Sequence, residues 1–326
     1  MNLSYLYKLD LPFNKNDILF RDISTKEQID LQKINLYYPQ DTDYYLNYYE
    51  SIAKIVESCL ENKEILKNIN IIEMLLIAIK IRIVSFGNIL EFNIESKQED
   101  IKNVKIKIDL NDLIRNILIT SVDSLEIKEI EENGIKIIFS WPNVNSIKFF
   151  YNLYFAEISS EEKLLESLPE YIDSIIIKDE ILKINEFTHD QKENICDKLP
   201  MSLQTKIQES IIKNINNLLS KNIFNIRQLD DEKLNFYTLS FIRILKMIFS
   251  QNPRRIYEEV YILSNFNLDS NYIMSLTPIE RKLYLSFVES QQKSNQPKTD
   301  QIDQQMHQHS SAVNDLAVEF GDTPPN

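Results

Sequence analysis

Residues 65–94, ILKNINIIEMLLIAIKIRIVSFGNILEFNI, contain the longest apolar run of the chain. This run, from Ile69 to Phe86, has the length of a buried helix. Three charged residues interrupt the run: Glu73, Lys80 and Arg82. Charges at the centre of a bilayer span are costly, so we expect a helix of a soluble core and not a membrane span. Gly87 predicts the end of this helix, because glycine accepts the positive φ of a C-terminal turn.

Two β-hairpins are predicted after this helix. The segments ILEFNIES and VKIKIDL alternate apolar and polar residues, with the polar KQEDIKN between them. A period of two is typical of strands with one face in water. The segments SLEIKEI and IKIIFSW are joined by EENG, in which Gly134 supplies the turn. The middle of the chain is therefore predicted to hold a small antiparallel sheet made of two hairpins.

Helices are predicted on both sides of these strands. Residues 9–23 read as two short extended pieces, and Ser24 with Glu27 forms the pattern of a capping box at a helix start. The run from Asp41 has apolar residues at helical spacing. Later helices are predicted over 146–155, 160–168, 189–199 and 202–219, and at TPIERKLYLSF, residues 277–287, where Thr277 and Glu280 suit a second capping box.

The predicted fold class is α+β, dominated by helices, with a C-terminal all-helical module. We expect an N-terminal α+β domain over 1–142, a helical middle region over 143–229 and the helical module over 230–290. Residues 291–326 are rich in Gln and Ser and are acidic, and their pattern predicts disorder. Within that tail, Val313, Leu316, Val318 and Phe320 form a short apolar set that could order on a partner.

Composition excludes several classes of protein. Only three glycines occur, Gly87, Gly134 and Gly321, so glycine-rich phosphate loops and nucleophile elbows have no place in the chain. The net charge of −13 and the absence of a basic cluster argue against nucleic acid as a partner. The first residues do not resemble a secretory signal. No membrane association and no small-molecule substrate are expected.

Residues suited to catalysis or metal binding are few. His307 and His309 fall in the predicted tail, which leaves His189 alone in the predicted folded part. Cys196 is seven residues from His189, but the more ordinary interpretation makes Cys196 and Cys59 small core residues. Acidic runs are typical of solvated turns and helix starts, and no pair among them stands out as a hydrolase site. We therefore predict no catalytic residues, no metal site and no cofactor.

Tyrosine is concentrated at the start of the second predicted helix. Aromatic side chains give large contact area at low entropic cost, so exposed members would suit a protein interface. The alternative is an ordinary helix with tyrosines at its rim. The candidate partner-binding residues are Tyr37, Tyr38, Tyr44, Tyr45, Tyr48 and Tyr49.

The order of these segments resembles the baseplate hub subunits and hub assembly chaperones of T4-like tailed phages. The resemblance is carried by Leu11-Pro12, Arg21, the Thr25-Lys26-Glu27 helix start, residues 65–94 and IKIDLND at 106–112. A separate similarity to phage tail assembly proteins covers 239–288. Relatives often carry cysteine pairs in the first hairpin, whereas ESKQEDIKN here has none, so no structural zinc is inferred.

The resemblance implies a protein that acts by binding other baseplate hub proteins during tail assembly and carries no catalytic residues. Such a protein would work in the host cytoplasm and could remain in the tail baseplate of the virion. Three functions stay open at this point. The chain could be an assembly chaperone, a structural hub subunit retained in the virion, or an enzyme that uses carboxylates.

Overall fold

The computed structural model describes residues 5–13, 17–37, 42–94, 104–144, 168–220, 225–230, 233–238, 248–249 and 253–295. The helices are α1 (Thr25–Tyr37), α2 (Thr42–Cys59), α3 (Ile71–Phe86), α4 (Leu110–Ser124), α5 (His189–Cys196), α6 (Met201–Ser220), α7 (Pro253–Asn265), α8 (Ser270–Ser275) and α9 (Pro278–Asn295). The strands are β1 (Tyr7–Asp10), β2 (Asp17–Phe20), β3 (Ile89–Ile94), β4 (Val104–Asp109), β5 (Glu129–Glu132), β6 (Ile135–Phe139), β7 (Ile172–Ile177), β8 (Glu180–Lys183), β9 (Asn225–Asp230) and β10 (Lys233–Thr238). Short 3-10 helices lie at Lys63–Asn68, Leu168–Tyr171 and Ile184–Glu186. The predicted α+β class is confirmed.

Helix α3 lies at the centre of the main core. Its start is fixed by a capping box, in which Asn70 accepts the N–H of Glu73 and the Glu73 carboxylate accepts the N–H of Asn70. Its end is the predicted one, since Gly87 has φ 93° and donates its N–H to the carbonyl of Ile83. Most of the helix surface is buried, including Met74, Ile77 and Ile81, which are fully inaccessible. A helix that is apolar on all sides needs neighbours on all sides, and α2, α4 and α9 pack against it.

The charged residues of α3 are accommodated by specific contacts. Glu73 also accepts the backbone N–H of Phe13 at 3.0 Å. Arg82 donates to the carbonyl of Gly87 at 2.8 Å and lies 4.7 Å from the centre of the Phe86 ring. Burial lowers the pKa of Arg82 to about 10. In the part of the chain that the structure describes, no helix is long and apolar enough to cross a membrane.

The N-terminal extended pieces form the antiparallel hairpin β1–β2, as predicted. Strand β2 alternates in burial, with Ile18 and Phe20 inside and Leu19 exposed. Phe20 also makes a β-bridge with Leu60, which attaches the hairpin to the end of α2. The capping box at Ser24 and Glu27 is present, and α1 begins at Thr25.

Both predicted hairpins of the middle region are present, but in the described residues they belong to two separate sheets and not to the single sheet that was predicted. Strands β3 and β4 pair from Ile89 with Asp109 to Ile94 with Val104. Strands β5 and β6 are joined by a turn in which Asn133 has φ 52° and Gly134 has φ 76°. Two successive positive φ values characterise the type I′ turn, whose twist matches that of the flanking strands.

The middle region contains strands that the sequence pattern did not predict. Strands β7 and β8 extend β5–β6 into a four-stranded antiparallel sheet of order β5-β6-β7-β8. The prediction of a helical region over 143–229 was therefore wrong for 172–183. The turn between these strands places Lys178 and Asp179 at φ 49° and 69°. Neither is a glycine, so the turn lacks the residue that usually reveals such a hairpin.

A further hairpin, β9–β10, pairs residues on the two sides of the predicted boundary between 229 and 230. The module predicted to be all-helical from residue 230 therefore starts with a strand. The predicted helices 189–199 and 202–219 are confirmed by α5 and α6, which end or begin within a few residues of those limits. The predicted helix 146–155 lies outside the described residues, as does 160–167.

The C-terminal helices α7, α8 and α9 share a small core of Leu263, Ile273, Leu276 and Val288. The predicted capping box of α9 is present, with the Glu280 carboxylate on the N–H of Thr277 at 2.8 Å. Helix α9 continues to Asn295, so residues 291–295, which were predicted to be disordered, are helical. The rest of that tail, 296–326, lies outside the described residues.

Candidate functional site

The six tyrosines predicted to bind a partner surround the junction of α1 and α2. Tyr37 is the last residue of α1, and four others fall in the first turns of α2. Tyr38 and the side chains of the other five lie outside the described residues. The partner-binding role of these tyrosines stays a prediction.

His189, the histidine that the sequence singled out, contacts a carboxylate. It starts α5, and its Nδ1 lies 2.9 Å from Oε1 of Glu170. The other oxygen of Glu170 accepts from Nζ of Lys192 at 2.5 Å. The side chains of Glu170 and Lys192 are 3% and 5% exposed. This buried ion pair joins the 3-10 helix Leu168–Tyr171 to α5. Glu170 and Lys192 therefore have a structural role.

The two cysteines are held as neutral thiols. Burial raises the pKa of Cys59 to about 12, and burial with the neighbouring Asp197 raises the pKa of Cys196 to about 11. A cysteine nucleophile acts as the thiolate, which needs a lowered pKa. Cys59 is a core residue, as predicted, and Cys196 is half-buried at the edge of the core.

The acidic run on β5 is engaged in ion pairs with lysines. Glu129 lies 2.7 Å from Nζ of Lys136 across the hairpin, and Glu132 lies 3.3 Å from Nζ of Lys206 on α6. Among the described residues, no group of three His, Cys, Asp or Glu side chains could hold a metal ion.

A network centred on Glu27 joins β2, α1 and α2. The guanidinium of Arg21 donates to both carboxylate oxygens of Glu27, at 2.6 and 3.0 Å. The same guanidinium donates to the carbonyl of Ser58, and the Ser58 hydroxyl donates to Glu27 at 2.5 Å. Burial alone would raise the pKa of Glu27, but the hydrogen bonds from Arg21 and Ser58 outweigh it and lower the pKa to about 2. Arg21 and Glu27 are two of the residues that carry the phage resemblance.

A second network attaches the C-terminal helices to the first turn of α1. The side chain of Arg281 on α9 is only 2% exposed. It donates to Glu259 on α7 at 2.7 Å, to the Thr25 hydroxyl at 2.6 Å and to the Gln28 amide oxygen at 3.0 Å. The N–H and the hydroxyl of Thr25 both donate to the carbonyl of Leu276, each at 2.7 Å. We call this set the Arg281 junction.

The sequence did not reveal the Arg281 junction. Within TPIERKLYLSF, the sequence identified the cap at Thr277 and Glu280, but nothing in the local pattern distinguishes the buried Arg281 from the exposed Lys282. Arginine is seldom fully buried, so an exposed position would be the default expectation. Its position in the helix could have revealed it. Arg281 lies one helical turn after the cap and on the same side as Leu285 and Val288, which predicts a buried position.

The outer surface of the C-terminal helices is unusually apolar. On α9, three large side chains four residues apart are more than half exposed: Ile279 53%, Leu283 53% and Phe287 56%. We call these three the α9 stripe. Further exposed apolar side chains in this part of the chain are Tyr257, Tyr261, Ile262, Phe266 and Tyr272. Exposed apolar residues that share one helix face are typical of interaction surfaces.

Comparison with known families identifies the main body of the chain. A family model described as T4 bacteriophage base plate protein matches residues 4–226. No curated protein and no solved structure matches the chain. The match includes the Glu27 network and the helix α3, and it ends before α7. Because it covers more than half of the sequence, the chain belongs to the T4 phage baseplate protein family.

Proposed function

We propose that this protein is a non-enzymatic baseplate hub protein that acts in tail assembly by binding other hub subunits, as an assembly chaperone. Family membership supports a structural or assembly role in the phage baseplate, and it carries the proposal. The apolar outer surface of the C-terminal helices adds a surface suited to protein contacts. The proposed working site is the host cytoplasm, where assembly takes place.

The non-enzymatic part of the proposal is supported by the chemistry of the described side chains. The thiols of Cys59 and Cys196 have raised pKa values, which disfavours the nucleophilic form. Glu170 is committed to Lys192 and His189. A net charge of −13 opposes binding to nucleic acid, since the phosphate backbone requires basic contacts.

The second candidate function is that of a structural hub subunit which remains in the virion. Family membership favours it equally, because baseplate proteins include persistent parts of the tail. Mass spectrometry of purified virions, beside pull-downs from infected cells, separates the two. Presence in the pull-down and absence from virions supports the chaperone, while stoichiometric presence in virions overturns it.

The tyrosines at 37–49 are our proposed contact site for hub subunits. Contact energy in protein interfaces concentrates in a few aromatic anchors. Replacing a solvent-facing member by Ala should weaken binding by about ten-fold, near 1–2 kcal/mol, with little change in melting temperature. The measurement is calorimetric titration with hub subunits beside a thermal melt of each variant.

The matched control is Tyr5→Ala, because Tyr5 is 79% exposed and lies outside the cluster. This control should bind as the unmodified protein does. Wild-type binding by every cluster variant would show that the tyrosines form only a helix rim. Weak binding together with early melting would identify them as core, and the contact site would then be sought on the C-terminal helices.

A further inference from the structure

We propose that the α9 stripe is covered by the chain's own C-terminal segment, residues 312–320, which docks on it as a short amphipathic helix. This inference goes beyond the proposed function, and docking of the segment would withdraw the α9 stripe from contacts with other proteins. It starts from the direction in which the stripe faces. Ile279, Leu283 and Phe287 lie opposite the side of α9 that carries the buried Arg281 and Val288. Helix α9 is therefore apolar on its outer side as well as on its packed side.

The segment 312–320 has the pattern that fits this surface. Val313, Leu316, Ala317 and Phe320 are spaced by three, one and three residues, which places them on one face of a helix. From Val313 to Phe320 such a helix rises about 10 Å, and the stripe from Ile279 to Phe287 rises about 12 Å. The two apolar faces therefore match in length as well as in character.

The connecting chain is long enough to bring the two together. Residues 296–312 separate the end of α9 from Val313, a stretch of 17 residues. A flexible chain of this length spans roughly 23 Å on average, and the stripe begins about 24 Å back along α9 and ends about 12 Å back. A tether of this kind gives a local concentration on the order of millimolar, which favours docking within one molecule.

A second copy of the chain fits the stripe less well. Three side chains of roughly 200 Å², each about half exposed, present about 300 Å², whereas a stable complex buries about 800 Å² on each partner. A surface of this size suits a tethered helix, because the tether removes most of the cost of association. The area thus favours the tail over a symmetric dimer.

The test is hydrogen–deuterium exchange of the full-length protein. The amides of 312–320 should exchange roughly ten-fold more slowly than those of an unstructured reference peptide, independently of protein concentration. Leu316→Asp on the segment and Leu283→Asp on the stripe should each abolish this protection. The matched control is Val318→Asp, because Val318 lies off the apolar face. Leu283 is exposed, so Leu283→Asp should melt as the unmodified protein does.

Each other outcome overturns the proposal. Exchange of 312–320 at the reference rate means that the segment does not dock. Protection that survives Leu283→Asp means that it docks elsewhere, and loss of protection in Val318→Asp means that the proposed face is wrong. Protection lost on dilution assigns the stripe to a second copy. An unprotected segment combined with weaker capture of hub subunits by Leu283→Asp assigns the stripe to a partner protein.

Discussion

Replacing Arg281 by Met should undock the C-terminal helices from α1. The methionine keeps much of the side-chain volume but removes the donors to Glu259, Thr25 and Gln28. Removing one partner of a buried ion pair costs about 3–5 kcal/mol. Glu259 keeps Arg255 at 3.2 Å, whose side chain is 74% exposed, so we expect the lower end, about 3 kcal/mol.

The assay follows from the hydrogen bonds of the Arg281 junction. The N–H of Thr25 donates to the carbonyl of Leu276, so it becomes exposed to solvent when the helices undock. A loss of about 3 kcal/mol corresponds to exchange roughly 100-fold faster at the start of α1 and in α8. Native-state hydrogen exchange measures this directly, whereas Trp141 fluorescence reports on the main core.

The matched control is Arg254→Met, which removes a similar ion pair at the surface. Arg254 lies 2.8 Å from Glu258, and their side chains are 84% and 57% exposed. Exposed pairs of this type contribute less than about 0.5 kcal/mol, so exchange should barely change. If Arg281→Met leaves the exchange of α1 and α8 within three-fold of the unmodified protein, the reasoning about the junction is refuted.

Three further predictions concern acid, metal and proteolysis. Glu27 has a folded pKa of about 2 against an ordinary 4.5, so its contribution, about 3 kcal/mol, is present above pH 5 and lost as the pH falls towards 2. The acid unfolding curve of Glu27→Gln should not show this loss. A curve identical to that of the unmodified protein would contradict the assignment. EDTA should leave the melting temperature unchanged, because a structural zinc site needs about four ligands, and a large loss of stability would contradict this. Limited trypsin treatment should cut first after Lys298 and leave a folded body, and earlier cuts within 253–295 would disprove this.

Local patterns predicted the elements that have clear start and stop signals. Helix α3 was predictable because Gly87 ends it, and the β5–β6 hairpin because Gly134 supplies a positive φ. The β7–β8 hairpin was missed because its turn uses Lys178 and Asp179, which do not signal a turn of that kind. Continuous apolar runs such as Ile175 to Ile177 fit a buried strand or a helix equally well.

Contacts between distant segments were beyond the reach of local patterns. Glu27 was predicted to cap α1, which it does, but its ion pair with Arg21 and its hydrogen bond from Ser58 depend on how β2 and α2 are placed. Arg281 meets residues about 250 positions earlier, and no periodicity encodes that distance. For the tyrosines at 37–49 the sequence gives a signal without detail. A surplus of aromatic residues predicts an interface, but it does not specify which of them contact the partner.

The first turn of α1 is one of the places where the C-terminal helices contact the part of the chain that matches the baseplate family. On one side Glu27 binds Arg21, and on the other Thr25 and Gln28 receive Arg281. Apolar contacts alone would join the two parts without a strict angle, because the hydrophobic effect has no direction. The planar guanidinium of Arg281 has three separate acceptors, and their fixed directions restrict the angle between the two parts of the chain. The α9 stripe, which starts two residues before Arg281, is therefore held in a defined orientation relative to the part of the chain that matches the baseplate family. An apolar residue at 281 that restored stability would still be expected to loosen this orientation.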